Sequence, residues 1–402
     1  MADGGLLSAA AFDTTVPALV LKLDSYPLHH GGLGVVRSLG RLGRRAVLIP
    51  TDDVGAILIS THAERLQTWF RFPQPPPGLA HVVASKRGLY ELCSKLGVPC
   101  PRVSFPTSRQ EVEEFTAIAS FPVVAKAIEA WRLPPGEGLL STTIIRSPES
   151  LLQLSRRLER HSDGNLMLQE YLPGGRGQDW FFHAYCDARS RCLASFTGVK
   201  LRSYPPYAGA TTLGRGQDNE PLRAHAEGLL EAIAYRGIVD LDYRLDLRDG
   251  EYKLLDFNPR VGAQFRLFED VAGVDVVRAA HLDLTGREVH RRPQRHGRVF
   301  LVEQSDLLAC LGYRRAGDLS LPSWLSSLRG AHRELAWFTS DDPAPFLLMW
   351  VRLLLRAVQR LLRRPGGRSG HASTPRYLPG RQGRERRHRR RPLRERVAGR
   401  TE

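Results

Sequence analysis

Short apolar runs alternate with turn signals and helical patterns at the front of the chain. The runs at 16–23 and 46–50 each have the length of a strand and predict two strands. A glycine-rich turn at 31–40 opens a predicted helix after the first strand, and the pattern at 54–70 predicts a further helix after the second. This βαβα order is typical of a doubly wound α/β domain.

Two later runs alternate apolar and polar side chains on either side of a turn. Residues 241–247 and 252–257 have the strand pattern, and the turn signal Arg-Asp-Gly-Glu at 248–251 lies between them. The pattern predicts an antiparallel hairpin. Such a hairpin brings Asp242 across from Asp256, so two carboxylates fourteen residues apart in the sequence come together in one cluster.

The second strand of this hairpin ends in Asp-Phe-Asn-Pro-Arg at 256–260. Asp256 and Asn258 are two positions apart, so their side chains leave the same face of an extended strand. Mg²⁺ prefers oxygen ligands, and we predict a Mg²⁺ site at Asp242, Asp256 and Asn258, with Mn²⁺ as an alternative ion. The following proline leaves Arg260 at the rim, suited to phosphate oxygens or an acyl phosphate. The alternative is ordinary strand-end acids and a solvated arginine.

Other motifs stand in an order that resembles the ATP-grasp superfamily. Lys86 begins a helical segment that ends at Gly-Val-Pro, 97–99. Lys126 follows an apolar strand. A short link at 170–173 follows another apolar strand. With the Asp-Phe-Asn-Pro-Arg motif and its upstream acid, the resemblance covers roughly residues 80–290.

Within the superfamily, the segments 198–206 and 256–265 look most like carboxylate-amine ligases related to D-aspartate ligase. The resemblance implies a ligase that uses ATP and Mg²⁺ to join a carboxylate substrate to an amine, such as an amino acid or small peptide. An acyl-phosphate intermediate forms, and ADP and phosphate are released. Two alternatives stay open: a nucleotide-binding scaffold without catalysis, and an ATP-grasp carboxylase or carbamoyl-transfer enzyme.

The resemblance also implies a fold class and a division of the chain. The class is α/β, with α+β grasp subdomains. The expected segments are a shortened doubly wound N-terminal domain at 1–80, a small lid subdomain at 81–165, a large subdomain at 166–290, a C-terminal extension at 291–345, an amphipathic helix at 346–364 and an Arg-rich tail, expected to be disordered, at 365–402.

Lysines are rare in this chain and concentrate in the motifs. Only six of the 58 cationic Lys and Arg residues are lysines, and three of the six are Lys86, Lys126 and Lys200. A compact ammonium acts as a point charge toward phosphate. We predict that all three bind ATP phosphates and that Lys200 and Arg260 are catalytic. Solvated surface lysines are the alternative.

The remaining nucleotide contacts are expected from the resemblance alone. The link after the 166–168 strand is similar to the hinge that receives adenine, which assigns Glu170, Tyr171 and Leu172 to cofactor binding. Asp179 matches the acid that binds the ribose hydroxyls. The loop at 133–143 resembles the flap that covers the triphosphate.

The substrates are less constrained by the motifs. Arg202, Tyr204 and Tyr207 are candidates for substrate recognition, with an ordinary proline-containing loop as the alternative. Only two strands are predicted before Lys86, fewer than the relatives have room for. Because that domain helps to bind the carboxylate in the relatives, its shortening leaves the substrate and catalysis open.

The strong positive charge belongs mainly to the end of the chain. The formal net charge is +16, but 351–402 holds seventeen Arg against three Glu, which leaves about +2 for the other residues. This distribution argues against specific nucleic-acid binding by the enzyme-like body. Five cysteines without a CxxC pair and no secretory signal favour the cytoplasm, free or at the inner face of the membrane.

Arginines recur at helical spacing in the segment before the tail. Arg352, Arg356, Arg360 and Arg363 predict a cationic stripe on a helix whose other face is leucine-rich. The helix carries too much charge to span a bilayer. It could lie beside anionic lipid, dock on the protein itself or pair with a second copy in a homodimer.

Overall fold

The structure of this protein is a computed structural model. It describes residues 18–22, 47–129, 142–158, 165–173, 177–207, 209–329 and 332–362. Three predicted features fall outside these described residues: the glycine-rich turn at 31–40, nearly all of the flap at 133–143, and the Arg-rich tail at 365–402.

The described part of the N-terminal unit contains the two predicted strands. Its elements are β1 (Ala18–Leu21), β2 (Val47–Pro50), α1 (Asp53–Thr61) and α2 (Ala63–Leu66). β1 and β2 pair in parallel. The Asp52 carboxylate caps α1 by accepting from the Gly55 amide at 2.7 Å. The single helix predicted at 54–70 is wrong, because the backbone leaves α geometry at His62 and divides the segment in two.

A four-stranded antiparallel sheet, the small sheet, follows. Its order is β3-β6-β4-β5. The elements are α3 (Leu79–Ala84), α4 (Lys86–Leu96), β3 (Val103–Ser104), α5 (Arg109–Ile118), β4 (Val123–Ala127), β5 (Thr143–Ile145), α6 (Pro148–Leu158) and β6 (Leu166–Glu170). Apolar side chains of α5 and α6 pack with those of β4 and β6 in one core. The predicted boundary at 165/166 would separate β6 from this sheet, so the strand pairing moves the boundary to after Glu170.

A seven-stranded sheet, the large sheet, forms the body of the molecule. Its order is β11-β10-β7-β8-β9-β12-β13, antiparallel throughout except for the last pair. The elements are β7 (Asp179–Cys186), β8 (Cys192–Tyr204), β9 (Ala210–Gly216), α7 (Glu220–Ala232), β10 (Gly237–Asp246), β11 (Glu251–Asn258), α8 (Val276–Leu284), β12 (Arg298–Leu301), α9 (Glu303–Arg315), α10 (Leu321–Ser327), β13 (His332–Leu335) and α11 (Ala344–Leu362). The segment 291–345 is therefore part of the sheet rather than an appended extension.

Helices cover both faces of the large sheet. Leu222, Ala226 and Leu230 of α7 pack on one face with Phe182 and Ala184 of β7, together with other core residues. On the opposite face, α8 packs against the alternate side chains of β7 and against the N-terminal strands. The alternation of β7 side chains thus supplies two cores from one strand. The described helices include none long and apolar enough to cross a membrane.

A buried ion pair fastens α9 and α10 to the large sheet. Asp306 of α9 accepts two bonds from the Arg202 guanidinium of β8, both at 2.8 Å, and is almost fully buried. Thr212 and Trp324 also donate to Asp306, at 2.9 and 2.8 Å, and Ser327 accepts from Arg202 at 2.6 Å. Every oxygen of the carboxylate is thereby satisfied, which a buried charge requires.

Replacing Asp306 by alanine removes the partner of this buried guanidinium. We expect Asp306→Ala to lower the free energy of unfolding by about 3–5 kcal/mol, because Arg202 stays buried without compensation. Urea unfolding measures the change. Glu113→Ala is the control, since it breaks an exposed pair with Arg109 within α5 and should change stability by about 0.5 kcal/mol or less. Similar losses in the two variants would contradict this role.

Candidate active site

The hairpin predicted from the sequence is present in its predicted register. β10 and β11 pair so that Asp242 lies opposite Asp256 and Asp240 opposite Asn258. All four side chains therefore leave one face of the large sheet. The turn between the strands contains Gly250 at a φ of +78°, a conformation that glycine adopts without strain.

Three lysines converge on the two facing carboxylates. Lys86, the first residue of α4, forms an ion pair with Asp256, and Lys200 of β8 lies 3.5 Å from Asp242. Lys126 of β4 comes from the small sheet, and its Nζ lies 3.5 Å from the carbonyl oxygen of Leu255. Both carboxylates remain partly exposed, so a ligand can reach them. The cluster lies where the two sheets meet.

The charged groups of this cluster shift the pKa values of one another. Burial opposes ionisation of Asp256, but Lys86 and Lys126 outweigh it and lower the pKa of that carboxyl. Burial raises the pKa of Asp242 despite Lys200. Burial also lowers the pKa of Lys126 to about 8, against the opposing pull of Asp256. For Lys200 the carboxylates of Asp242 and Asp179 prevail over burial and raise its pKa.

Arg260 is held between acids of two different parts of the chain. Its guanidinium lies 3.1 Å from Asp240 and 3.3 Å from Asp53, the first residue of α1. It also donates to the amide oxygen of Asn258 at 2.9 Å. Burial works against the charge of Arg260, yet Asp53 and Asp240 together raise its pKa above the ordinary arginine value. The N-terminal unit therefore contributes a carboxylate to the site.

A fully buried histidine on the neighbouring strand contacts the Asp240 carboxylate. His183 of β7 is the cross-strand neighbour of Asp240, and its Nε2 lies 3.0 Å from the carboxylate. Gly262 passes directly over this pair: a β-carbon there would lie 2.7 Å from the Asp240 carboxylate and closer still to the imidazole. Only a residue without a side chain fits this approach.

Arginines form hydrogen bonds and ion pairs with the predicted nucleotide hinge and with Asp179. Glu170 accepts from the Arg102 amide at 2.9 Å and pairs with Arg248 at 3.1 Å. Asp179 binds Arg244 of β10 through both carboxylate oxygens, at 2.6 and 3.0 Å. Arg244 also donates to the carbonyl of Leu172 at 3.0 Å. Leu172 is buried and Tyr171 partly exposed. Adenine and ribose contacts at Glu170, Tyr171, Leu172 and Asp179 stay predictions.

The contacts described for the three predicted substrate residues are with residues other than Asp242 and Asp256. Arg202 is enclosed in its ion pair with Asp306. Tyr207 hydrogen-bonds to Asp318 through its hydroxyl, and its ring packs edge-on against Tyr313. Tyr204 is exposed at the end of β8. Their roles in recognition stay predictions.

The chain was compared with known proteins and solved structures. No protein-family model matches it. Over 243 residues it is 27% identical to D-aspartate ligase of Enterococcus faecium (strain Aus0004), a match that covers 58% of this chain and 58% of that protein. The match thus spans less than two thirds of the relative's length. It agrees with the resemblance found in the motifs.

A structural match decides the fold. The crystal structure of the biotin carboxylase–β,γ-ATP complex from Campylobacter jejuni superposes on this structure with a TM-score of 0.50. The match covers 73% of this chain and 75% of that one, at 12% sequence identity. This chain has an ATP-grasp fold. A RimK domain ATP-grasp protein from Sphaerobacter thermophilus is also similar, at 16% identity and a TM-score of 0.46, over 65% of this chain and 97% of that one.

The oxygen donors of this cluster suit Mg²⁺. Asp242 and Asp256 face each other across the hairpin, and Mg²⁺ usually takes one or two carboxylates and completes its shell with phosphate and water. The described residues contain no group of three His, Cys, Asp or Glu side chains arranged for a metal. Asn258 is already engaged, since its Oδ1 accepts from Arg260 and its Nδ2 donates to the backbone carbonyl oxygen of Asp240, so its part in a metal site stays a prediction.

Four residues of the site were missed from the sequence. Asp240 and Arg244 continue the alternation of Asp242 along β10, so the period of two could have revealed them. His183 and Asp53 lie on β7 and α1, far away in the sequence. Their approach depends on strand order and domain packing, which no local pattern encodes.

Gly262 generates a prediction about packing around His183 and Asp240. We expect Gly262→Ala to lower the free energy of unfolding by about 1–3 kcal/mol, because the new methyl group overlaps His183 and Asp240. Chemical denaturation measures the loss. Gly228→Ala in α7 is the matched control: its β-carbon meets open space, so it should stabilise the protein by about 0.5–1 kcal/mol. A neutral Gly262→Ala would contradict the close approach.

Proposed function

We propose that this protein is an ATP-dependent carboxylate-amine ligase that forms an amide or peptide bond. The observation that carries the proposal is the convergence of Lys86, Lys126 and Lys200 on the facing pair Asp242 and Asp256. Such a cluster can neutralise a triphosphate and hold its metal at one place. The similarity to D-aspartate ligase supports ligation as the chemistry.

In the proposed reaction, the charged residues of the cluster neutralise phosphate charge and position the reacting groups. The three lysines neutralise the phosphates of ATP, and Asp242 and Asp256 would hold Mg²⁺, which would neutralise further phosphate charge. A substrate carboxylate attacks the γ-phosphorus, ADP leaves, and an acyl phosphate forms. The amine then attacks the acyl carbon, loses its proton and displaces phosphate. Positioning and charge neutralisation supply most of the acceleration.

Arg260 is the group we assign to the transferred phosphoryl. Its guanidinium lies beside the metal residues and is always charged, so it can stabilise negative charge that develops on the phosphoryl oxygens. Its bonds to Asp240 and Asn258 fix its position before substrate arrives. Preorganisation of this kind avoids a reorganisation cost during the reaction.

Trapping of the intermediate tests the ligase assignment. With ATP, Mg²⁺ and hydroxylamine, a carboxylate substrate should yield ADP and a hydroxamate, because hydroxylamine intercepts an acyl phosphate. The screen begins with both enantiomers of aspartate and extends to other amino acids and small peptides. Asp256→Asn should lower kcat/KM by about 100-fold or more.

Asp249→Asn is the matched control for that substitution, since Asp249 lies in the turn of the same hairpin and is exposed. It should leave turnover unchanged. Two outcomes would sink the proposal. Nucleotide binding without ADP formation for any carboxylate would support the scaffold alternative. ADP formation that depends on bicarbonate would support the carboxylase alternative.

Lys126 makes nucleotide binding depend on pH. Burial holds its pKa at about 8, so it loses its proton from the free protein above that pH and must regain it to face phosphate. Affinity for ATP should therefore be level below pH 8 and fall by up to about tenfold per pH unit above it. Lys126→Arg should abolish the fall, because arginine stays charged.

Titration calorimetry across this pH range measures the effect. Lys95→Arg is the control, since Lys95 is exposed near the end of α4, and it should keep the wild-type profile. Parallel profiles for the wild type and Lys126→Arg would assign the pH dependence to another group.

A further inference from the structure

Exposed apolar side chains are concentrated at one end of the described chain. Twelve of the 21 large apolar or aromatic side chains that are exposed lie between 307 and 358. Half of these twelve belong to one helix, α11: Leu347, Leu348, Val351, Leu354, Leu355 and Val358. Soluble proteins rarely gather so many on one element without a partner.

These six residues form one continuous face of α11. Their spacing of one, three and four positions keeps them on one side of a helix. α11 packs on the core that α8 forms with β7 and the N-terminal strands. It does so through other side chains, of which Met349 is buried and Phe346, Trp350 and Leu353 are partly buried. α11 is therefore apolar on two sides, with one side docked on the protein and the other facing outward.

The charges on α11 all have one sign. The helix has no acidic residue, and Arg352 and Arg356 follow one border of the outward face, at 100° per residue. The sequence that follows, 363–402, contains fourteen Arg against three Glu. The apolar face of α11 is thus followed in the sequence by a polybasic segment. Stable attachment to an anionic bilayer needs two signals of this kind, an apolar anchor and a cluster of positive charge.

A second copy of the chain fits this face less well. In a symmetric contact between two α11 helices, Arg352 and Arg356 of both copies would approach without any acid on either helix to neutralise them. An anionic lipid surface removes that repulsion and covers the leucines at the same time. The long arginine side chains can bury their stems while their guanidinium groups reach the lipid phosphates.

We propose that the outward face of α11 is a docking surface for an anionic lipid bilayer, on which the helix lies in the interfacial plane. The leucines enter the boundary between headgroups and acyl chains, and the arginines bind the phosphate layer. Docking of this kind would hold the ATP-grasp body at the membrane without a spanning segment. The inference does not depend on the reaction proposed above.

Flotation of the full chain with vesicles tests the surface. At near-physiological salt, the protein should float with vesicles of phosphatidylcholine and phosphatidylglycerol and stay behind with phosphatidylcholine alone. Leu354→Gln with Leu355→Gln should lower partitioning by at least about tenfold, because two exposed leucines no longer enter the interface. Arg352→Gln with Arg356→Gln should lower it by about fivefold per arginine.

Ile118→Gln is the matched control, since Ile118 is 85% exposed at the end of α5, and partitioning should not change. Thermal unfolding checks that each variant keeps its fold. Flotation that is insensitive to the leucine substitutions would overturn the proposal, because the arginine-rich sequence alone would then account for adsorption. A dimer that the leucine substitutions dissociate, without any vesicle binding, would also overturn it in favour of a second copy.

Discussion

The ion pair between Lys86 and Asp256 is the interaction on which the site depends. It connects the start of α4, whose Lys86 amide also donates to the carbonyl oxygen of Ile128 just after β4, to the β10–β11 hairpin of the large sheet. Lys126 approaches the same strand from β4. Charges from two sheets thus meet in a partly buried place, where each would be costly alone. The geometry of the two sheets and the charge state of the cluster therefore depend on each other.

Local patterns predicted a large part of this arrangement. Alternation at 241–247 and 252–257 with an intervening turn was enough for the hairpin, and the register of Asp242 against Asp256 followed from it. The scarcity of lysine pointed to Lys86, Lys126 and Lys200. What escaped were contacts between distant elements. The pairing of Asp179 with Arg244, 65 residues apart, depends on which arginine the fold brings near, and residue type alone does not reveal it.

The N-terminal unit has a role that its size does not suggest. It has only two paired strands among the described residues, yet α1 begins at the site and presents Asp53 to Arg260. That carboxylate has an elevated pKa from burial, although Arg260 opposes the rise. The guanidinium assigned to phosphoryl transfer is therefore shared between the large sheet and a separate βα unit. Movement of that unit would change the electrostatic field at Arg260 without any change in the β10–β11 hairpin.

The buried pair of Arg202 and Asp306 has a consequence for how this chain can be divided. Resemblance covers the chain only to about residue 290, and a fragment designed to end there would seem to hold the whole ATP-grasp domain. Such a fragment would lose β12 and β13 from the large sheet and expose the β9 edge. It would also separate the Arg202 guanidinium from Asp306 and Ser327, its partners in the intact chain. The smallest autonomous folding unit therefore extends at least through Ser327, and modular exchange between relatives has to move α9 and α10 with the sheet they fasten.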